Sequence, residues 1–140
     1  MANYWLFVSV PYTDFNAGQI KDIIGRDQSA LWEIGKKTVN KQQFSPGDQI
    51  IFYQGGKSGQ TLIGTAEIAS KLRRSQNPIN DYVKIHKISL FKHPVPIKPV
   101  LNKLSFVRNI QYWGLYFKGG IIKLTKNDYL TFLTYARVLN

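Results

Sequence analysis

Short apolar runs that end at proline or glycine dominate this chain, and they limit what it can fold into. Tyr4–Val10 is rich in β-branched and aromatic residues and stops at Pro11, which predicts a strand buried on at least one face. Gln49–Tyr53, which follows a turn at Ser45–Asp48, predicts a second strand, and Thr61–Ala69 predicts a third. None of these runs is long enough to span a bilayer as a helix. The pattern favours a small mixed sheet or barrel.

The third predicted strand carries small residues on one of its faces. Because side chains alternate along a strand, Leu62, Gly64, Ala66 and Ile68 are expected to share a face. Glycine and alanine on that face indicate that another element packs closely against it.

A fourth predicted strand, Tyr82–Lys92, changes phase near its middle. Its aliphatic residues occupy odd positions before His86 and even positions after Lys87. A β-bulge at this point would reconcile the two halves. Prolines at positions 94, 96 and 99 follow, and they predict an extended link that is not central strand.

Helical spacing is confined to a few segments. Asn16–Gly25 predicts a short helix that ends at its glycine, and Thr125–Leu139 predicts a longer helix that opens with a capping box. Val100–Leu104 predicts a helical turn. Between the first two strands, Arg26–Ser45 lacks a clean period and predicts a long irregular loop, a feature that is usually functional. Together these elements predict one α+β domain over residues 1–140.

The net charge of +11 belongs entirely to the second half of the chain. Residues 1–70 hold six bases and six acids, whereas residues 71–140 hold thirteen bases and only two acids, Asp81 and Asp128. A one-sided positive charge attracts polyanions, so nucleic acid is the first partner to consider, with a solubility surface as the plain alternative.

Several residue types are scarce enough to exclude whole classes of site. The chain has no cysteine, which excludes disulfides, zinc ribbons, iron–sulfur clusters and thiol catalysis. With only His86 and His93 and few carboxylates, we expect neither a metal nor any other cofactor. No signal peptide is visible, so an intracellular, cytoplasmic protein is expected.

The ordered set of motifs resembles the EVE domains of the PUA-like superfamily, which are related to YTH domains, and is most similar to small archaeal EVE proteins. The matching segments are Tyr4–Pro11 (YWLFVSVP), Leu31-Trp32, Asn40, Pro46–Asp48 with Ile51–Tyr53, Ile63–Ala66, Pro99–Phe106, Trp113, and Leu124-Thr125 with Asp128-Tyr129. The resemblance spans almost the whole chain.

This resemblance implies both a fold and a function. The fold would be a twisted, barrel-like sheet of about five to six strands with two or three flanking helices. The function would be to hold an extruded modified base of DNA or RNA, because YTH domains read N6-methyladenosine in RNA and EVE-like domains are associated with modified bases that include methylated cytosines. Base flipping costs a few kcal/mol, which aromatic faces restore by stacking. Such a site needs an aromatic cage and a basic rim.

Four residues of the first half are candidates for the base pocket. Trp32 matches the cage tryptophan that follows the first helix of YTH domains, and a ring that fills the sheet interior is the alternative. Ser9 could bond a base edge or phosphate, or cap the turn at Pro11. Glu33 could accept from an exocyclic amine or be a solvated acid. Asn40 offers a donor and an acceptor to a base edge, or makes a turn.

The sequence indicates a second aromatic wall of the base pocket less clearly than it indicates Trp32. Trp113, which Tyr112 flanks, could supply it, and a core anchor is the alternative. YTH domains have a second cage tryptophan before the fourth strand, whereas Lys71–Asp81 contains no aromatic residue. Tyr82 or its neighbours Pro78 and Ile79 would have to substitute, which leaves the preferred modification open.

Seven bases of the second half are candidate phosphate contacts: Lys71, Arg73, Arg74, Lys84, Lys87, Arg108 and Lys118. Each phosphate that they neutralise steepens the salt dependence of binding by close to one unit. The arginines carry more weight because guanidinium binds phosphate in a bidentate manner. The alternative for a single lysine is a solvated surface. We expect this positive surface to share a face with the Trp32 pocket.

The expected function is therefore a non-enzymatic reader of a modified base, acting as a monomer that does not bind membranes. A nuclease or motor subunit is a further expected partner, since the chain could be the targeting part of a larger system. Two alternatives stay open: an RNA-processing enzyme on a PUA-like barrel, similar to ASCH-domain RNases, and an adaptor whose basic face docks an acidic protein.

Overall fold

The fold is described from a computed structural model of the chain, over residues 2–9, 29–36, 38, 41–55, 60–76, 78, 80–117 and 120–140. The strands are β1 (Tyr4–Ser9), β2 (Ala30–Gly35), β3 (Gln49–Gln54), β4 (Thr61–Ile68), β5 (Asn80–Pro96) and β6 (Ile121–Leu124). Within these described residues, one α-helix, α1, covers Lys126–Leu139, and 3₁₀ helices cover Lys41–Gln43, Lys98–Lys103 and Ile110–Phe117. The predicted helix Asn16–Gly25 lies outside the described residues.

One mixed sheet organises these elements, in the order β2-β5-β4-β3-β1-β6. β1 runs parallel to β3, and the other neighbouring strands are antiparallel. Among the described residues no pairing joins β2 to β6, so the sheet is open. The α+β prediction, with about six strands and a few flanking helices, is confirmed.

Both faces of the sheet are buried, and each carries its own core. Trp5 and Phe7 point to one face and Leu6 to the other because side chains alternate along β1. We call the first cluster, which also contains Trp32 and Phe52, the Trp32 core. The second, in which Leu6 meets α1 and the 3₁₀ helices Lys98–Lys103 and Ile110–Phe117, is the helix-side core. This double burial explains why β1 reads as a continuous apolar run.

The turn before β3 forms as its sequence predicts. Gly47 adopts a φ of 96°, which a glycine tolerates, and the Asp48 amide donates to the Ser45 carbonyl at 3.1 Å. The buried Asp48 carboxylate accepts from the Trp5 indole (2.9 Å) and the Asn3 amide (2.9 Å). The turn therefore also satisfies the polar atom of a core tryptophan.

β4 and β5 approach each other closely at Gly64. A Cβ on Gly64 would lie 2.6 Å from the Ser89 carbonyl oxygen, which confirms the predicted close packing. The prediction that Leu62 shares this face is wrong. Leu62 lies in the helix-side core, whereas Ala66 and Ile68 lie in the Trp32 core. The register of β4 shifts between Leu62 and Gly64, and this shift turns the strand over.

The bulge predicted in the fourth strand is present in β5. Lys87 has a φ of 51°, and the pairing shifts where β5 passes it. The strand then continues through Pro94 and Pro96, further than predicted. Because β2 pairs only with Asn80–Ile85, these prolines lie where β4 is the sole neighbour in the described sheet.

The prediction of an irregular loop over Arg26–Ser45 is wrong for Ala30–Gly35, which form β2. Six residues of β2 pair with β5, and these long-range hydrogen bonds override the lack of a local pattern.

The C-terminal helix is confirmed: the Thr125 hydroxyl accepts from the Asp128 amide at 3.1 Å. In the described part of the chain, no helix is long and apolar enough to cross a membrane.

Candidate nucleic-acid interface

Trp32 lies in an aromatic cluster at the centre of the Trp32 core. Its ring centroid is 5.2 Å from that of Phe52 and 5.7 Å from that of Phe7, and Phe44 packs on Phe7 at 5.8 Å. These rings meet because β1, β2 and β3 each turn alternate side chains to this face. Trp32 is only 3% exposed, so its ring borders the interior rather than an open surface.

The strand position of Trp32 differs from the predicted loop position. Its partner across the sheet is Val83 of β5, which is also buried in the Trp32 core. The sheet thus fixes the backbone beneath the ring, which favours a preorganised aromatic wall over a mobile loop side chain.

The two candidates for a second wall do not face Trp32. Tyr82 precedes Val83 on β5 and, by alternation, points to the opposite face of the sheet. Trp113 lies in the 3₁₀ helix Ile110–Phe117 and packs edge-on against Phe117, at 5.7 Å, in the helix-side core. Among the described residues, Phe7 and Phe52 place their rings against Trp32.

Of the polar pocket candidates, the structure describes only the backbone of Ser9 and of Glu33. Ser9 ends β1 and Glu33 follows Trp32 in β2, where its backbone is in register with Tyr82. The side chains of Ser9 and Glu33, and the whole of Asn40, lie outside the described residues, so their roles stay predictions.

A basic segment lies beside the Trp32 core. Leu72 packs against this core, and the exposed residues Lys71, Arg73 and Arg74 flank it. The segment is held in place because Arg73 exchanges two backbone hydrogen bonds with Tyr82, at 2.6 and 2.9 Å. We call residues 71–74 the basic segment.

Asp81 ties this region together through a buried carboxylate. It accepts from Lys36 Nζ (2.5 Å), Lys41 Nζ (3.0 Å) and the Ser75 amide (3.1 Å). The hydrogen bond from Lys36 above all, with those from Ser75 and Lys41, holds the pKa of Asp81 well below its usual range. The arrangement links the chain after β2 to the chain before β5, and it pairs two lysines with one carboxylate.

The remaining phosphate candidates are dispersed over the molecule. Lys84 lies between two Trp32-core residues of β5 and therefore points to the other face. Lys87, at the bulge, lies 3.3 Å from the Glu67 carboxylate. Arg108 is exposed before the 3₁₀ helix Ile110–Phe117, and Lys118 lies outside the described residues. Of the described candidates, Lys71, Arg73 and Arg74 adjoin the Trp32 core, whereas Lys84 points to the other face, so the described candidates do not share one positive face.

Glu67 forms the main polar cluster on that other face. Its carboxylate meets His86 Nε2 at 2.5 Å and Gln49 Nε2 at 3.1 Å, in addition to Lys87. Burial raises the pKa of Glu67, but the hydrogen bonds from His86, Lys87 and Gln49 outweigh this effect and lower it overall. Across the described residues, no three His, Asp or Glu side chains converge in a group that could hold a metal ion.

Sequence reasoning missed two parts of this region. The alternation of Trp5 and Phe7 in the first strand was a visible sign that Phe7 would share a face with other buried rings. The Asp81 cluster left no such sign, because Lys36 and Lys41 are 45 and 40 residues away in the chain.

Comparison with known proteins places this geometry in a family. The model of the EVE domain matches residues 3–134. The chain is 28% identical over 117 residues to the UPF0310 protein PYRAB08750 of Pyrococcus abyssi, an alignment that covers 71% of this chain and 81% of that protein.

Solved structures share the fold at low sequence identity. A hypothetical protein from Leishmania major superposes with a TM-score of 0.74 at 14% identity, covering 99% of this chain and 97% of that one. Human THYN1, in complex with DNA that contains 5-methylcytosine, superposes with a TM-score of 0.70 at 13% identity, covering 96% and 98%.

Proposed function

This chain belongs to the EVE domain family, and on that premise we propose that it is a nucleic-acid-binding module that holds a modified base against Trp32. The observation that carries the proposal is the contact between the Trp32 core and the basic segment through Leu72. A base that stacks on the aromatic cluster would place its phosphates within the field of exposed Lys71, Arg73 and Arg74.

The burial of Trp32 sets a condition on this function. Because the ring is 3% exposed, a base reaches it only after neighbouring side chains have moved aside. The cost of that movement, added to the cost of flipping, must be met by stacking and by burial of the modification. A buried methyl group contributes about 0.8 kcal/mol, and more if a plain base leaves a void.

Polar residues near Trp32 in the sequence would read the edge of the base. We propose that Ser9 and Asn40 bond the base edge or the adjacent phosphate, and that Glu33 accepts from an exocyclic amine. The DNA in the THYN1 complex contains 5-methylcytosine, and this supports methylated cytosine in DNA as the first base to test. A nuclease or motor partner, a monomeric state and a cytoplasmic location stay predictions of the family resemblance.

A binding screen tests the proposal directly. The wild-type protein would be titrated against matched DNA and RNA oligonucleotides that carry cytosine, 5-methylcytosine, 5-hydroxymethylcytosine, N4-methylcytosine, adenine or N6-methyladenine. We expect one modified base to bind at least several-fold more tightly than its plain counterpart. Equal affinity for every modified and plain pair would contradict the proposal.

We also propose that the module binds without cleaving. Purified protein incubated with the preferred oligonucleotide should leave its length unchanged on a denaturing gel. Cleavage that persists in protein from independent preparations, and disappears in an Arg73→Gln and Arg74→Gln double variant, would favour an RNA-processing enzyme instead.

A further inference from the structure

The layer that covers the helix-side core exposes bases and large apolar side chains without any exposed carboxylate side chain. We define this layer as residues 97–117 and 125–140, all of which are described. Its single acid is Asp128, which is buried. The Asp128 carboxylate accepts from the Ser105 amide at 2.9 Å and from the Ser105 hydroxyl, so it neutralises none of the bases on the surface.

The positive charge of the layer is therefore free to act on a ligand. Between positions 82 and 127 the chain contains no Asp or Glu at all. Five bases of the layer are exposed: Lys98, Lys103, Arg108, Lys126 and Arg137. Among the described residues, their side chains appear in no ion pair, unlike Lys36 and Lys41 beside the Trp32 core. Such a surface is complementary to a polyanion.

The exposed apolar side chains concentrate on the same layer. Of the large hydrophobic residues that are exposed in the described structure, all except Leu31 lie on it. Tyr112 is 55% exposed and Leu115 is 62% exposed, both in the 3₁₀ helix Ile110–Phe117. Ile110, Tyr112 and Leu115 are exposed within one 3₁₀ helix that follows the exposed Arg108, and this grouping favours an interaction site over ordinary surface.

The segment that carries Tyr112 packs on buried aromatic rings. Phe117 packs on Tyr53 at 4.9 Å, and Trp113 packs on Phe117. At the start of the segment, Asn109 accepts from the Gln111 amide through its side chain and from the Tyr112 amide through its carbonyl, both at 3.1 Å. The inner rings thus fix a platform on which Tyr112 and Leu115 project outward.

A groove of about 620 Å³ lies on this layer beside α1. Its lining combines a base, Lys103, with the polar side chains of Asn127, Thr131 and Tyr135 and the apolar side chain of Leu130. Hydroxyl and amide groups next to a lysine suit phosphate and sugar oxygens, and the apolar residues suit a base face.

We propose that this layer is a second nucleic-acid-binding surface, which binds a single strand regardless of base modification. Phosphates would meet the exposed bases, and nucleobases would stack on Tyr112 and its neighbours. Every nucleotide of a single strand carries both a phosphate charge and a planar apolar face, whereas an acidic peptide carries charge and aromatic rings on separate residues. The surface covers the face of the sheet opposite the Trp32 core, so the proposal does not depend on the base pocket.

The test compares the affinity of wild-type protein and variants for a labelled oligothymidylate of about 20 nucleotides, measured by fluorescence anisotropy. Tyr112→Ala combined with Leu115→Ser should raise Kd by about tenfold, because stacking contributes strongly to such binding. Leu31→Ser, which removes an exposed apolar residue outside the layer, is the matched control and should bind as the wild type does.

A second variant guards against effects on folding. Lys103→Gln with Arg108→Gln alters only exposed side chains, and it should lower the slope of log Kd against log salt by about two units. Wild-type behaviour of both double variants would overturn the proposal. It would also be overturned if both variants keep their affinity for oligothymidylate but lose affinity for polyglutamate, since the partner would then be an acidic protein.

The result of this test can be distinguished from the result of the test of the modified-base pocket. The Tyr112 and Leu115 variant should keep the wild-type ratio of affinities for a short modified oligonucleotide and its plain counterpart. If the wild type shows no such preference but the variant still loses affinity for oligothymidylate, the base pocket fails and the second surface stands.

Discussion

The surroundings of the Trp32 core and the layer that covers the helix-side core both rest on apolar residues, yet they differ in how their charged side chains are paired. Beside the Trp32 core, Asp81 engages Lys36 and Lys41, whereas Lys71, Arg73 and Arg74 of the basic segment take part in no ion pair with the described residues. In the layer of residues 97–117 and 125–140 over the helix-side core, the sole acidic side chain, Asp128, is buried against Ser105, and the exposed bases of this described layer form no ion pair. The comparison teaches that a net charge counted from the sequence does not say where positive charge is available to a ligand.

Truncation of either core should have the largest effect and should show that both are structural. Phe132→Ala on the helix side and Trp32→Ala on the other face each remove a buried aromatic ring. Each should lower the free energy of unfolding by about 3–5 kcal/mol in urea denaturation. A loss below about 1 kcal/mol for Trp32→Ala would mean that the ring is not a core element. Functional tests therefore need the milder Trp32→Phe.

Overpacking between β4 and β5 should have the next largest effect. Gly64→Ala places a Cβ against the Ser89 carbonyl oxygen, and it should lower the free energy of unfolding by about 1–3 kcal/mol. Gly114→Ala is the matched control, because a Cβ there meets no atom within 4 Å. A Gly64→Ala variant as stable as this control would contradict the close approach.

Acid should weaken the Trp32 side through Asp81. Because folding lowers the pKa of Asp81, its contribution to stability is present above its ordinary pKa of about 3.9 and is lost as the pH falls toward the folded value. Asp81→Asn removes this contribution, so the difference in unfolding free energy between the wild type and this variant should be larger at neutral pH than near pH 3. An equal difference at both pH values would show that Asp81 is not held as a carboxylate.

Loss of the basic segment should have the smallest effect, confined to binding. Arg73→Gln with Arg74→Gln should lower the salt slope for a short modified oligonucleotide by at most about two units while stability is unchanged. Lys92→Gln, an exposed base beyond the bulge of β5, is the control. An unchanged slope in the double variant would remove the basic segment from the interface.

Local signals in the sequence predicted the elements that local forces build. The apolar run of β1, the turn at Gly47, the bulge at Lys87 and the Thr125 cap all depend on residues within a few positions of one another. β2 could not be predicted in the same way, because its hydrogen bonds come from β5, about 50 positions later. The burial of Trp32 follows from that pairing, and the sequence left it open as the alternative to a ring in an exposed loop.

The candidate site, like the fold, was predictable from the sequence only in part. The resemblance marked Trp32, and the structure adds that Phe7 and Phe52 are its aromatic neighbours. Sequence reasoning grouped Trp113 and Arg108 with Trp32, but these residues belong to the layer on the opposite face. Face assignments of this kind need the register of every intervening strand, and a shift such as that at Gly64 inverts them.

The central claim is that recognition of the modification resides on the Trp32 side of the sheet and not on the helix side. It is tested most directly by the ratio of Kd values for an unmodified oligonucleotide and its preferred modified counterpart, measured for the wild type, Trp32→Phe and Trp113→Phe. We predict that Trp32→Phe lowers this ratio several-fold, whereas Trp113→Phe leaves it unchanged. A ratio that survives in Trp32→Phe but falls in Trp113→Phe would contradict the account.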